Sequence, residues 1–225
     1  MKLLILSDIH GEYEKLKKIV ESLNENFDVI ICNGDITDMF NVPKEFSQLD
    51  VADIVIQKLL SIGKPLLCVP GNHDPYEIIP ILDDYGVNIH EKIKTINGID
   101  FIGFGGADTP FNTKFEPGEK EIEESLNKMQ KKIKNKFVLI VHNPPKNTKL
   151  DTTSSGLHVG SAAIREFILN KKPILTVSAH IHEAKGIDNL GSTVLFYPGP
   201  VFEGFYGVVE IRGNEIKCDI KEVEV

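Results

Sequence analysis

The chain has no tryptophan, only two arginines (Arg165 and Arg212) and only three cysteines. Two arginines are too few for the bidentate clamp that proteins often place on a phosphomonoester. Cys32, Cys68 and Cys218 are odd in number and far apart, which argues against disulfides and against a thiolate zinc site. No apolar run is long enough for a signal peptide or a membrane span, so we expect a soluble, cytoplasmic protein without a membrane partner.

Positive charge is also scarce. The formal net charge is −8 and the isoelectric point is about 5.4. A nucleic acid would approach a like-charged surface, so a nucleic-acid partner is not expected. A chain of 225 residues with 41% hydrophobic content is long enough for one sizeable core, which predicts a single domain over residues 1–225. The sequence gives no indication of the oligomeric state.

The first third of the chain predicts a β-α-β-α-β unit. Apolar runs at 2–7, 28–32 and 65–69 are typical of buried strands. Between them, helical spacing of apolar residues from Glu12 onward and over 51–61 indicates two helices. Such units form parallel sheets.

Short strands are predicted in the middle of the chain at 87–89, 92–96 and 100–104, and further antiparallel strands near the end. A long polar stretch, 143–160, has no periodicity and is typical of a functional or mobile loop. We therefore predict an α/β fold in which two sheets stack face to face with helices outside.

Polar side chains follow the ends of the apolar runs. They are Asp8, His10, Asp35, Asn72, His73, His142, His180 and His182. In sheets of this kind ligands bind beyond the carboxyl ends of the strands, so these side chains are expected to meet in one site. Oxygen and imidazole donors together are what a pair of divalent cations needs, and they indicate a metal-dependent hydrolase.

Two pairs of candidate ligands have a spacing of two residues: Asp8 with His10, and His180 with His182. Alternation of side chains in extended backbone puts both members of a pair on one face. Asp35 follows a glycine that allows the chain to bend, so its carboxylate could bridge two cations. Nitrogen and oxygen donors without thiolate favour Mn²⁺, Fe, Co²⁺, Ni²⁺ or Zn²⁺ over Mg²⁺ and Ca²⁺, and we take Mn²⁺ as the leading candidate.

At this point the chain resembles the calcineurin-like metallophosphoesterases. The resemblance rests on ordered blocks between residues 8 and 182: Asp8-x-His10, Gly34-Asp35, Gly71-Asn72-His73-Asp74, His142 and His180-x-His182. It implies a four-layer α/β/β/α sandwich with a dinuclear metal centre. It also implies that Asp8, His10 and His182 hold the first metal. Asn72, His142 and His180 would hold the second, with Asp35 as the bridge.

The resemblance assigns His73 to the substrate, as the group that protonates the leaving oxygen or binds a phosphoryl oxygen, with Asn72 beside it. An imidazole in such a role needs an orienting partner. Asp38 matches the second acid of the family's Gly-Asp-x-x-Asp pattern and is the candidate, with Asp74 as the rival.

Two further features of the sequence bear on the site. The family's last block usually begins with glycine, whereas Ala179 precedes His180 here, which restricts the backbone at that turn. His158 lies in the long loop just before a predicted helix start, a position suited to binding an anion. We predict that His158 faces the substrate.

The predicted function is hydrolysis of a small phosphate ester, most simply a phosphodiester, by a hydroxide shared between two metals. The protein-phosphatase branch is disfavoured because Met39-Phe40 stands where that branch has Arg-Gly. The alternatives are a scaffold or binding protein with this fold and little activity, a phosphomonoesterase, or a nuclease.

Overall fold

The computed structural model describes residues 1–223, and its eleven strands form two mixed sheets. The five-stranded sheet has the order β11-β10-β1-β2-β3, and the six-stranded sheet has the order β4-β5-β6-β7-β9-β8. The strands are β1 (Lys2–Leu6), β2 (Val29–Asn33), β3 (Leu66–Val69), β4 (Ile93–Ile96), β5 (Ile99–Phe104), β6 (Phe137–Val141), β7 (Leu175–Val177), β8 (Gly186–Leu190), β9 (Thr193–Tyr197), β10 (Phe205–Arg212) and β11 (Glu215–Glu222).

Five helices cover the outer faces of the sheets. They are α1 (Tyr13–Ser22), α2 (Gln48–Leu60), α3 (Ile78–Asp84), α4 (Glu119–Gln130) and α5 (Ala162–Lys171). Within residues 1–223, none of these helices combines the length and the apolar character that a bilayer crossing requires.

Alternating side chains of β1 explain the layers. Leu4 and Leu6 pack with α1, α2 and α3 in one apolar cluster, while Leu3 and Ile5 point to the opposite face and pack between the two sheets. A third cluster joins the six-stranded sheet to α4 and α5. The predicted four-layer α/β/β/α sandwich is confirmed.

Parallel pairing brings the candidate ligands to one edge. β1, β2 and β3 pair in parallel, and so do β5, β6, β7 and β9 in the other sheet. The carboxyl ends of both parallel sets therefore lie at a common edge of the sandwich, where the chain leaves each strand in a polar turn.

One local prediction was wrong, and one helix was not predicted. The strand predicted at 87–89 is only a single bridge between Asn88 and Cys68, because the amides of Val87 and Asn88 are bonded to Leu82 O at the end of α3. Helix α3 itself was not predicted. It is seven residues long and contains Pro80, but that proline lies in the first turn, where a missing N–H costs no intrahelical bond.

Candidate metal centre

The turns after the strands hold their polar residues in unusual backbone conformations. Asp8, His10, Asp35 and His180 all have positive φ, between 46° and 76°. Such angles are uncommon for residues with a side chain and must be compensated by other contacts. Here the turns after β1 and β2 bond to each other, Asp8 N to Gly34 O at 3.0 Å and His10 N to Asp35 O at 2.8 Å.

Ala179, the departure from the family pattern, does not disturb its turn. The left-handed residue of this block is His180, with φ 76°, and Ala179 is buried in the core near α5. The methyl group therefore packs in the core instead of opposing the turn.

Two glycines allow the turns after β2 and β3 to meet. A Cβ on Gly34 would overlap the ring of His142 and lie 2.8 Å from Gly71 Cα, and one on Gly71 would overlap Asp35. Gly34 also has φ 89°, a conformation that favours glycine. This close approach is what lets Asp35 reach the space between the two sheets' strand ends.

The first cluster of potential ligands contains Asp8, His10, Asp35 and His182. His10 Nε2 lies 3.4 Å from His182 Nε2 and 3.4 Å from Asp35 Oδ2, and His182 Nε2 lies 3.6 Å from Asp8 Oδ1. Two ligand atoms that each lie about 2.1 Å from one ion at tetrahedral angles are about 3.4 Å apart. The spacing therefore fits ligands around a single cation.

The second cluster contains Asp35, His142 and His180. His142 Nε2 lies 3.4 Å from Asp35 Oδ2 and 3.1 Å from Asn72 Oδ1. The same Asp35 oxygen thus lies near ligands of both clusters, which would allow this carboxylate to bridge two cations through one oxygen. The donors are carboxylate, amide oxygen and imidazole, so both clusters fit divalent transition-metal ions.

The two buried histidines of the second cluster differ in their protonation. Burial lowers the pKa of His180 to about 3, so its imidazole is neutral and can bind a cation. Burial also lowers the pKa of His142, but the carboxylates of Asp35 and Asp8 outweigh it and raise that pKa to about 9. Burial raises the pKa of Asp35, yet His142 and His10 lower it overall, so Asp35 stays ionised. A cation at the second cluster would displace the proton of His142.

Residues that the sequence did not single out orient the ligands. Tyr197 Oη donates to Asp8 Oδ2 at 2.9 Å, which leaves Asp8 Oδ1 for a metal. His142 Nδ1 lies 2.9 Å from Asn33 O and donates to it, so Nε2 is the nitrogen that can give up its proton and bind a metal. Asn72 Nδ2 donates to Thr113 Oγ1 at 3.2 Å. Partners of this kind fix the tautomer and direction of a metal ligand.

His73 lies at the rim of the centre, with its ring 4.7 Å from that of His10. Its Nδ1 is 3.1 Å from Asp38 Oδ1, which agrees with Asp38 as its orienting partner. The rival, Asp74, is fully buried and accepts four hydrogen bonds instead, two from Thr37 and one each from the amides of Ile36 and Gly71. Asp74 therefore fastens the turn after β2 to the turn after β3.

The structure does not bring His158 into the ligand clusters. Its Nδ1 bonds to the buried carboxylate of Asp151 at 2.7 Å, and its side chain is 42% exposed. Asp151 also accepts from the amides of Thr148 and Gly160, so the pair organises the loop 143–160. A contact between His158 and a substrate stays a prediction.

A sandwich of this kind, whose strand ends gather two ligand clusters around one shared carboxylate, defines the class of metallophosphoesterases. The family model for calcineurin-like phosphoesterases matches residues 1–184, and the chain belongs to this family. The family consists of metal-dependent hydrolases that act on phosphoester bonds.

Two similar proteins align with nearly the whole chain, and a third aligns with less than half of it. An uncharacterized protein of Methanocaldococcus jannaschii is 39% identical over 226 residues, which cover 97% of this chain and 96% of the relative. A crystal structure from Thermus thermophilus has the same fold, with a TM-score of 0.75 and 20% identity over 97% of each chain. The DNA double-strand break repair protein Mre11 of Saccharolobus solfataricus is 30% identical over 105 residues, which cover 43% of this chain and 26% of Mre11.

Proposed function

We propose that this protein is a phosphodiesterase for small esters that works with two divalent transition-metal ions, Mn²⁺ being the leading candidate. The observation that carries the proposal is the shared oxygen: Asp35 Oδ2 lies 3.4 Å from His10 Nε2 in one cluster and 3.4 Å from His142 Nε2 in the other. Two cations bound in this way would offset charge on the phosphoryl oxygens and lower the pKa of a water molecule to about 7.

His73 supplies the acid of the proposed reaction. Its Nδ1 faces Asp38, so Nε2 is the nitrogen left to hold a proton for the leaving oxygen. The carboxylate of Asp38 also accepts from Phe40 N at 2.9 Å, which fixes the direction of its oxygen toward the ring. Phe40 packs against His73 in a T-shaped contact, with ring centroids 5.5 Å apart.

The preference for a diester is supported by the charge of the adjoining cavity. A cavity of about 520 Å³ opens beside the ligand clusters, and Lys15 is the single Lys or Arg among the residues that line it. Both arginines are engaged elsewhere, Arg165 with the carbonyls of Lys146 and Asn147, and Arg212 with Glu210. A phosphodiester carries one negative charge and a phosphomonoester up to two, so one lysine suits the diester better.

The test is a substrate panel on metal-loaded protein. Bis-p-nitrophenyl phosphate and p-nitrophenyl phosphate are compared with Mn²⁺, Ni²⁺, Co²⁺, Fe²⁺ and Zn²⁺, and we expect a higher kcat/KM for the diester. The control is Asp35→Asn, which keeps the shape of the bridging side chain but removes its charge and should abolish turnover. Faster monoester hydrolysis would contradict the diester preference, and no turnover with any metal would favour a scaffold.

The likeness to part of Mre11 makes a nuclease the second candidate. Linear DNA is therefore added to the same panel. The net charge of −8 opposes binding of a polyanion, so we expect no cleavage at physiological salt. Cleavage of DNA at a rate above that of the small diester would replace the proposal with the nuclease.

A further inference from the structure

The loop at 105–117 forms hydrogen bonds with both the backbone and the side chain of Asn72. The amides of Lys114 and Phe115 both donate to Asn72 O, at 2.9 and 3.0 Å. The side chain of Asn72 donates through Nδ2 to Thr113 Oγ1, while its Oδ1 lies 3.1 Å from His142 Nε2. Three consecutive loop residues therefore hold the backbone and the amide of a single potential metal ligand.

Glu116 fixes which groups donate and which accept in the hydrogen bonds of Thr113. Glu116 Oε1 accepts from Thr113 Oγ1, from Thr113 N at 2.7 Å and from Thr109 Oγ1 at 2.5 Å. An ionised carboxylate can only accept, and a hydroxyl has one proton to give. The hydroxyl of Thr113 therefore donates its proton to Glu116. Thr113 Oγ1 keeps its lone pairs, so toward Asn72 it can only accept a hydrogen bond.

This direction decides which end of the Asn72 amide faces the second cluster. With Nδ2 bound to Thr113, Oδ1 points toward His142. The flipped amide would set Asn72 Oδ1 against the lone pairs of Thr113 and turn an NH₂ group, which cannot bind a cation, toward the cluster. Asn72 is only 2% exposed, so water offers it little compensation.

Aromatic packing keeps the loop in place. The ring of Phe115 stacks on Tyr76 with ring centroids 4.1 Å apart. It also makes a T-shaped contact with His90, with ring centroids 5.2 Å apart. His90 in turn accepts from Gly105 N at the start of the loop, 2.9 Å away. The loop is thereby anchored at Gly105 and at Phe115, and Phe115 lies between Thr113 and Glu116 in the sequence.

We propose that Thr113 and Glu116 are positioning residues that hold the Asn72 amide with its oxygen toward the second metal. The inference rests on the proposed dinuclear function, and it adds that affinity at the second cluster depends on the hydroxyl of Thr113. Loss of an orienting partner of this kind costs about 10–100-fold in metal affinity. The first cluster, whose ligands do not touch Thr113, should keep its affinity.

The test measures metal binding directly. Thr113→Val replaces the hydroxyl with a methyl group of similar size, and titration calorimetry with Mn²⁺ or Zn²⁺ should show one of two sites weakened by about 10–100-fold. Thr113→Ser restores the hydroxyl and should restore the affinity. Thr109→Val is the matched control, because it removes a hydrogen bond to the same Glu116 oxygen without touching Asn72. Thermal unfolding of each metal-free variant checks that the fold is retained.

Each outcome of these measurements either supports or overturns the positioning role. A selective loss in Thr113→Val with rescue in Thr113→Ser supports the positioning role. Equal losses in Thr113→Val and Thr109→Val, no loss in either, or a loss that serine does not rescue would overturn it. If the unaltered protein binds no metal at all, the proposed function fails first, and that result is visible before any variant is made.

Discussion

Removal of the charge of Asp38 tests the acid group of the proposed reaction. Asp38→Asn keeps the size of the side chain and an oxygen for His73 Nδ1 and Phe40 N, so the local geometry should persist. What changes is the stabilisation of a protonated imidazole. The control is Glu45→Gln, which removes an exposed negative charge from the same loop.

The size of the effect follows from the contact. The Nδ1–Oδ1 distance is 3.1 Å, and both side chains are 20% exposed. A hydrogen bond to a charged group contributes about 1.5–3 kcal/mol, and partial exposure puts this pair at the lower end. About 1.4 kcal/mol corresponds to a tenfold change in rate, so kcat should fall about tenfold. Loss of the whole acid in His73→Gln should cost about 10²–10⁴-fold.

The assay compares two diesters that differ in leaving group. A p-nitrophenolate leaves without a proton, whereas an alkoxide needs one, so both variants should lose more activity on an alkyl ester than on the aryl ester. The double variant should be no slower than His73→Gln, because Asp38 acts through His73. Equal losses on both esters, or additive losses in the double variant, would refute the assignment.

Three further outcomes test the surroundings of the site. Tyr197→Phe should leave Asp8 Oδ2 without its donor and weaken metal binding by about 10–100-fold in a calorimetric titration, with little change in kcat at saturating metal. Asp74→Asn should lower the free energy of unfolding in urea by about 2–4 kcal/mol, because an amide would turn hydrogens toward converging donors. Burial raises the pKa of Asp100, but hydrogen bonds from Asn135, Lys134 and Thr95 lower it to about 2. The folded pKa lies below the unfolded one, so this carboxylate stabilises the protein above pH 4 by about 2 kcal/mol and loses that effect as the pH falls toward 2. The stability difference between Asp100→Asn and the unaltered protein should therefore shrink between pH 7 and pH 3, and a constant difference would contradict the assignment.

The gathering of the ligands could be predicted because it follows from a general property of sheets. Asp8, Asp35 and His142 each end an apolar run, and the carboxyl ends of parallel strands share an edge. The sequence indicated the donors and the edge together, and the structure places these side chains in two neighbouring clusters, within each of which the potential ligand atoms lie within 4.8 Å of one another.

The residues that orient the metal ligands could not be predicted, because nothing local marks them. Tyr197 is 189 residues from Asp8, and Thr113 is 41 residues from Asn72, so their contacts depend on the packing of the complete sandwich. The error at 87–89 has a similar origin. Residues 87–89 do have an apolar pattern. The amides of Val87 and Asn88, however, donate to Leu82 O at the end of α3 and are not free to pair with a neighbouring strand.

The left-handed backbone at Asp8, His10, Asp35 and His180 lowers the stability of the protein at the positions that the proposed activity needs. Each such residue costs about 1–2 kcal/mol relative to a right-handed one. Asparagine and glycine tolerate this conformation, and neither brings a charge that must be buried. A selection for heat resistance carried out in chelator would therefore enrich replacements at these four positions. The positions that such an experiment identifies as destabilising would be the ones that we propose to hold the metal ions.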